Sequence, residues 1–112
     1  MNEKTKAIYD YIVGRCLWQF FSRSWDRERN INEILNNMTA LFAGMDVKKE
    51  SNLEKCYYAD AKILLEELYA SYPWFSDLTA KEFAQICEEI RVKLMDLAVT
   101  HSLNQELNIE YY

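Results

Sequence analysis

Residues 30–44 read Asn-Ile-Asn-Glu-Ile-Leu-Asn-Asn-Met-Thr-Ala-Leu-Phe-Ala-Gly, and their pattern indicates a helical protein. Apolar side chains recur at steps of three and four, which places them on one side of an α-helix. Gly44 stands where a C-terminal cap belongs. The start is open between Asp26 as an early cap and Asn30 as a cap with Glu33 as its capping-box partner. The apolar positions are Ile31, Ile34, Leu35, Met38, Leu41 and Phe42.

Two further helices follow this one. Ser51-Asn52-Leu53-Glu54 is a capping box that opens a helix running through about Tyr69, and Thr79-Ala80-Lys81-Glu82 opens another. Tyr72-Pro73-Trp74 separates them, because the residue before a proline disfavours the helical conformation. The apolar stripes comprise Leu53, Cys56, Tyr57, Ile63, Leu64 and Leu68 in the first, and Phe83, Ile86, Cys87, Ile90, Leu94 and Leu97 in the second.

The two ends of the chain differ in regularity. Ile8, Ile12, Cys16 and Phe20 recur every fourth residue and predict a first helix from about Glu3 to Phe21. After Thr100 the periodicity is weak, so residues 100–112 are expected to form a C-terminal tail. The tail ends in Tyr111-Tyr112, and two terminal aromatic rings gain little unless they dock on a surface.

The composition supports one small helical domain. A chain of 112 residues is long enough for a single core, and its two glycines and one proline leave few sites for the tight turns of a hairpin-rich β-sandwich. We therefore predict an all-α fold, a single domain over residues 1–112 with about four helices and a C-terminal tail.

The net charge and the cysteines limit which partners and which cellular compartment we expect for this chain. A formal net charge of −5 opposes nucleic-acid binding, although residues 1–29 hold six Lys or Arg against four Asp or Glu. No signal peptide or membrane-spanning segment is expected. The three cysteines, Cys16, Cys56 and Cys87, form no CxxC motif, and each lies in an apolar helical pattern. This arrangement favours buried free thiols in a reducing compartment. We predict a cytoplasmic protein.

Residues that carry catalysis are not evident. His101 is the single histidine, so the Glu-x-x-His pairs of a di-iron bundle cannot form, and Gly14 and Gly44 are too far apart for a phosphate-binding loop. The paired acids Glu66-Glu67 and Glu88-Glu89 are interpreted as solvated helix faces. We expect no catalytic, metal-binding or cofactor-binding residue in this chain.

The segment from Cys16 to Glu28 instead suggests a binding role. It reads Cys-Leu-Trp-Gln-Phe-Phe-Ser-Arg-Ser-Trp-Asp-Arg-Glu, and large aromatics with arginines are enriched at the energetic centres of protein interfaces. The alternative is that these aromatics close one end of the core. Since the first helix claims Cys16 and Phe20 for its stripe, the candidate partner contacts are Trp18, Phe21, Arg23, Trp25 and Arg27, followed by Trp74 and Tyr112.

The same segment resembles the delta subunit of the alternative nitrogenases. The resemblance rests on Cys16 to Arg23 followed by Trp25-Asp26-Arg27, and it extends over nearly the whole chain. Tyr58-Ala59-Asp60-Ala61, the Tyr72-Pro73-Trp74 break, Ser102-Leu103-Asn104 and Glu106-Leu107 with the terminal Tyr are also similar to that family, in the same order.

The resemblance implies a small helical accessory subunit that binds the catalytic alpha subunit in a complex of two alpha, two beta and two delta chains. The P-cluster and the vanadium-iron (or all-iron) cofactor are then expected in the alpha and beta subunits, and the ATP-dependent reductase iron protein is an indirect partner. Phe20-Phe21 and the ending from Val99-Thr100 to Glu106-Leu107-Asn108 are more similar to the vanadium version than to the iron-only version. The alternative function is a free-standing helical adapter or assembly factor.

Overall fold

The computed structural model describes residues 1–15 and 27–99, without the side chains of residues 27 and 97–99. These residues form four α-helices and one short 3-10 helix, and they contain no strand. The prediction of an all-α protein is therefore confirmed. The elements are α1 (Glu3–Gly14), α2 (Arg27–Phe42), α3 (Asn52–Ser71), the 3-10 helix (Pro73–Asp77) and α4 (Ala80–Val99).

The helix ends follow the capping residues in the sequence. Ser51 Oγ accepts a hydrogen bond from the Glu54 N–H at 3.1 Å. Thr79 and Glu82 form the complete box, because each backbone N–H donates to the other residue's side chain, at 3.0 and 3.1 Å. Both predicted capping boxes therefore begin helices.

Gly44 ends α2 as its sequence position predicts. It has a φ of 75°, in the left-handed region that glycine adopts without a steric penalty. Its N–H donates to the Leu41 carbonyl at 3.0 Å, and the next N–H, of Met45, donates to the Ala40 carbonyl at 2.9 Å. This pair of bonds is a Schellman motif, which satisfies carbonyls that the helix itself leaves without partners.

Neighbouring helices α2 and α3 run in the same direction. Tyr57 contacts Asn30 near the beginning of both helices, and the rings of Phe42 and Tyr69 lie 6.1 Å apart near their ends. Helix α2 has 16 residues and so is about 24 Å long. The eight residues from Gly44 to Ser51 reach about 26 Å when extended, enough to return the chain to the beginning of α2.

The core lies between α2, α3 and α4, and α1 packs on α3 and α4. Its largest fully buried side chains include Tyr57, Phe75 and Phe83, with Met38 and Leu64 beside them. The 3-10 helix after the predicted break closes one end of the core, because it places Phe75 edge-on to Phe42, Tyr69 and Phe83, with ring centroids 4.8 to 5.4 Å apart.

Three details differ from the sequence predictions. Helix α1 ends at Gly14, with the Arg15 N–H donating to Tyr11 and Ile12, whereas the predicted stretch from Cys16 to Phe21 lies outside the described residues. The cap at Asn30 is wrong, because α2 begins at Arg27 and Asn30 is buried inside it. Ile63 is 41% exposed and is not a core residue.

Candidate partner-binding surface

The structure describes only part of the predicted contact set. Trp18, Phe21, Arg23, Trp25 and Tyr112 lie outside the described residues. Arg27 is the first residue of α2, and only its backbone is described. Trp74 is described fully. Of the predicted contacts, the structure therefore places only Trp74 and the backbone of Arg27, and it also describes Arg15, which directly precedes the aromatic segment.

A polar cluster fastens the chain where it enters the aromatic segment. Tyr11, on the last turn of α1, donates its hydroxyl hydrogen to the Glu67 carboxylate of α3. Arg15 Nε lies 2.7 Å from Glu67 Oε2, and both side chains are about one-third exposed. One carboxylate of α3 therefore holds two successive turns at the end of α1.

The surroundings of this cluster change the pKa of the Tyr11 phenol. Burial, the hydrogen bond to Glu67 and the negative charge of that carboxylate raise the pKa of Tyr11 from 10.0 to about 12. The nearby Arg15 charge acts in the opposite direction. At neutral pH the Tyr11 hydroxyl therefore keeps its proton and donates it to the Glu67 carboxylate.

A second polar contact lies where the chain leaves the segment. Asn30, one turn into α2, accepts a hydrogen bond from the Tyr57 hydroxyl, and both residues are fully buried. Asp60 is 2% exposed and lies one turn further along α3. It precedes Glu67 by seven residues, so the two carboxylates share one side of that helix.

Trp74 lies far from the contact between Tyr57 and Asn30. It follows the end of α3, and the distance along that helix from Tyr57 to Ser71 is about 20 Å. Its ring is half-buried and stacks on Tyr72 with centroids 4.9 Å apart, while Lys4 Nζ lies 5.6 Å from the ring centre. The structure therefore separates Trp74 from the beginning of α2, where Arg27 lies.

An open groove of about 590 Å³ runs along the outer side of α4. Its apolar lining comes from Met1 and Val92, which are 54% and 55% exposed. Acidic side chains of Glu88, Glu89 and Asp96 surround them. Glu88 pairs with Arg91, and this hydrogen bond lowers the pKa of its carboxyl. Glu88 and Glu89 are exposed, as predicted for solvated helix faces.

The thiols and carboxylates of the described region do not fit a metal site. Within residues 1–15 and 27–99, no three His, Cys, Asp or Glu side chains are grouped so that they could hold an ion. Burial raises the pKa of the Cys87 thiol to about 12, against a hydrogen bond with Thr39. Cys56 is only half-buried, contrary to prediction, and Cys16 lies outside this region. In the same ranges, no helix has the length and apolarity needed to span a membrane.

Glu67 is the residue that the sequence interpretation missed. The prediction that the acidic pair Glu66-Glu67 forms a solvated face is wrong for Glu67, because that side chain bridges Tyr11 and Arg15. No local feature of the sequence distinguishes Glu67 from Glu66, because the partners of Glu67 come from α1. Tyr57 is buried, as its place in the apolar stripe predicts, but that pattern does not predict the contact of its hydroxyl with Asn30.

The fold and these contacts define a small all-α domain whose first and second helices are tied to the third at either end of an aromatic and arginine-rich segment. A family model described as vanadium/alternative nitrogenase delta subunit matches residues 2–112. The chain therefore belongs to the delta-subunit family of the vanadium and alternative nitrogenases.

Curated relatives agree with this family. A nitrogenase iron-iron protein delta chain from Clostridium pasteurianum is 38% identical over 105 residues, covering 94% of this chain and 90% of the relative. Proteins of the same name from Azomonas macrocytogenes and Rhodobacter capsulatus are each 35% identical over 112 residues. These two alignments cover all of this chain, and 100% and 97% of the relatives.

Proposed function

We propose that this chain is the accessory delta subunit of an alternative nitrogenase and that it binds the catalytic alpha subunit in a complex that reduces dinitrogen to ammonia. The observation that carries the proposal is the family match over residues 2–112. Two alpha, two beta and two delta chains make up the proposed complex. The iron protein that delivers electrons is then an indirect partner of this chain, through that complex.

The chain's part in this complex is to bind, and the metal clusters lie on the alpha and beta subunits. The P-cluster and the vanadium-iron or all-iron cofactor supply the redox chemistry there. No reaction step is assigned to this chain. A cytoplasmic location stays a prediction that follows from the same assembly.

The proposed contact is the aromatic segment, through Trp18, Phe21, Arg23, Trp25 and Arg27. Its residue types suit an interface, because Trp and Arg combine a large contact area with planar, multidentate hydrogen bonding. The described residues on either side of this segment contact α3, where Glu67 receives Tyr11 and Arg15 and Tyr57 donates to Asn30. Trp74 and Tyr112 are proposed as secondary contacts.

The vanadium system stays a prediction. It rests on Phe20-Phe21 and on the ending after Val99, whereas the three relatives above are named as iron-iron protein delta chains. The family model spans both classes. Elemental analysis of the purified complex distinguishes them, because the vanadium system carries vanadium with iron and the iron-only system carries iron alone.

Co-purification of a tagged chain from cells grown without fixed nitrogen tests the proposal. We expect a stable complex in which this chain is equimolar with iron-sulfur-containing alpha and beta chains. The second candidate, a free-standing adapter, shares the aromatic segment but binds transiently. A chain that purifies as a monomer from cells containing those alpha and beta chains contradicts the subunit proposal and favours the adapter.

A further inference from the structure

We infer that the side of α4 next to the start of α1 binds an arginine-bearing segment of the alpha subunit. The arginine side chain enters a small cavity beside Thr5 and Glu89, and a neighbouring apolar side chain of the same segment rests on Val92. The inference rests on the proposed function and adds to it a contact surface that no sequence motif predicts.

The cavity lies between the first turn of α1 and the first half of α4 and has a volume of about 220 Å³. This is smaller than the roughly 300–1,000 Å³ of small-molecule sites, so it suits a single side chain. Leu78 and Ile86 supply apolar walls, whereas Thr5, Gln85 and Glu89 supply polar groups. A side chain that fills it therefore needs an aliphatic stem and a polar end, as arginine and lysine have.

Thr5 provides a buried hydroxyl without a partner. The residue is fully buried, and within residues 1–15 and 27–99 no group forms a hydrogen bond with its Oγ1. The cap of α1 uses only its backbone, whose N–H donates to Asn2 Oδ1 at 2.7 Å. Buried polar groups are almost always hydrogen-bonded, because leaving one unpaired is costly. A donor on a bound partner that reaches this hydroxyl removes the cost.

The charges around the cavity favour a cationic occupant. Glu82 already has partners, because hydrogen bonds with Thr79 and, to a smaller extent, the Lys4 charge lower the pKa of its carboxyl. Glu89 is exposed and forms no ion pair with any described residue. Lys4 is therefore matched by Glu82, and Glu89 remains as a negative charge that a partner can neutralise.

The cavity continues into the open groove along α4, because Glu89 lines both. Val92 and Asp96 follow Glu89 by three and seven residues, which places all three on one side of the helix. Val92 is 55% exposed, and Asp96, like Glu89, forms no ion pair in the described part of the chain. The cation of this groove, Lys93, lies 5.7 Å from the ring centre of Tyr9. The surface therefore complements a segment that is both basic and apolar.

Arginine fits the two unmet groups better than lysine does. Its planar guanidinium carries several N–H donors in a fixed arrangement, so it can bind the Glu89 carboxylate and the Thr5 hydroxyl together. Arginine is also enriched at protein interfaces, where lysine is depleted. The alpha subunit is the source of this side chain, because it is the direct partner of the chain in the proposed complex.

Removing either group should weaken association. Glu89→Gln removes the charge at constant size, and we expect about ten-fold weaker binding, because the arginine loses its counter-charge. Thr5→Val removes the hydroxyl, and we expect about five-fold weaker binding. The isolated Thr5→Val chain should unfold at the same or a higher denaturant concentration, because this hydroxyl has no internal partner to lose. A lower midpoint overturns the inference, since it assigns the hydroxyl a structural role.

Matched controls separate binding from general damage. Glu66→Gln removes an exposed carboxylate of α3, and Thr39→Val removes a hydroxyl that donates to the Leu35 carbonyl at 2.9 Å. We expect both controls to bind like the unmodified chain. Association is measured with purified alpha and beta chains of an alternative nitrogenase lacking delta, at a temperature where circular dichroism shows every variant folded.

Two failures are distinguishable in this experiment. If the unmodified chain does not bind the alpha and beta chains, the proposed function fails and the inference falls with it. If the unmodified chain binds and both Glu89→Gln and Thr5→Val bind equally well, the inference alone is wrong.

A cross-link identifies the occupant of the groove. A photoreactive amino acid in place of Val92 should, in the assembled complex, join to a peptide of the alpha subunit that contains an arginine. Replacing that arginine by alanine, together with Glu89→Gln in a double-mutant cycle, should weaken binding little more than either substitution alone. Additive losses overturn the inference, as does a cross-link to the beta subunit or to the iron protein in place of the alpha subunit.

Discussion

Phe42 of α2 stacks on Phe83 of α4 with ring centroids 4.5 Å apart. This contact joins the end of one helix to the beginning of another, and Phe75 of the 3-10 helix meets both rings edge-on. The cluster therefore closes the end of the core opposite the beginning of α2. It stabilises the domain without using any of the proposed segment contacts.

Phe83→Ala should lower the free energy of unfolding by about 3–5 kcal/mol, because Phe83 is fully buried and its loss leaves a cavity among rings. Val92→Ala, on the exposed side of the same helix, should change that free energy by less than about 0.5 kcal/mol. Chemical denaturation followed by circular dichroism measures both. Equal effects of the two substitutions contradict the aromatic cluster as a stabilising unit.

Asn30→Ala should destabilise the isolated chain by about 1–3 kcal/mol, since it leaves the buried Tyr57 hydroxyl without its acceptor. Asn36 is exposed on the same helix, and Asn36→Ala is the matched control, with an expected change within about 0.5 kcal/mol. The measurement is again the denaturation midpoint. If Asn30→Ala is as mild as the control, the buried hydrogen bond contributes nothing to stability.

Because the pKa of Tyr11 is raised, we expect the chain to lose stability in alkali. Its pKa is raised from 10.0 to about 12 in the folded chain, so the folded state binds this proton more tightly than the unfolded state does. The stabilisation is complete below pH 10 and is lost as the pH rises towards 12. The free energy of unfolding of Tyr11→Phe should therefore fall less steeply across this range. Parallel slopes for the two proteins contradict the raised pKa.

The two described thiols should react at very different rates. Cys87 is buried and its pKa is raised to about 12, so little thiolate forms at neutral pH, whereas Cys56 is half-buried. In a Cys16→Ser variant, a thiol reagent should modify Cys56 readily and Cys87 only after denaturant is added. Mass spectrometry of peptides identifies the site. Prompt modification of Cys87 in the native chain contradicts its burial.

The regular parts of this fold were predictable because local rules decide them. The apolar steps from Ile31 to Met38 gave α2 its buried side, and the boxes at Ser51 and Thr79 gave the starts of α3 and α4. Gly44 ended α2 because only a residue tolerant of positive φ suits that position. Each of these features depends on residues within about one or two turns of one another.

The remaining features depend on contacts between distant parts of the chain. Asn30 has the side chain of a helix cap, but pairing with Tyr57 inside the core outweighed that tendency. Glu67 is an acid beside another acid, and only the arrival of Tyr11 and Arg15 from α1 distinguishes it from Glu66. The parallel course of α2 and α3 likewise follows from packing, which helical periodicity does not encode.

Binding of Trp25→Ala to delta-free alpha and beta chains of an alternative nitrogenase tests the central claim most directly. We expect a loss of about ten-fold or more in affinity with the isolated chain still helical, since truncating an interface tryptophan commonly costs about 2 kcal/mol. Trp74→Ala, a substitution of a secondary contact, should cause a smaller loss. If Trp25→Ala instead unfolds the isolated chain while its folded fraction binds undiminished, Trp25 belongs to the core and the claim is wrong.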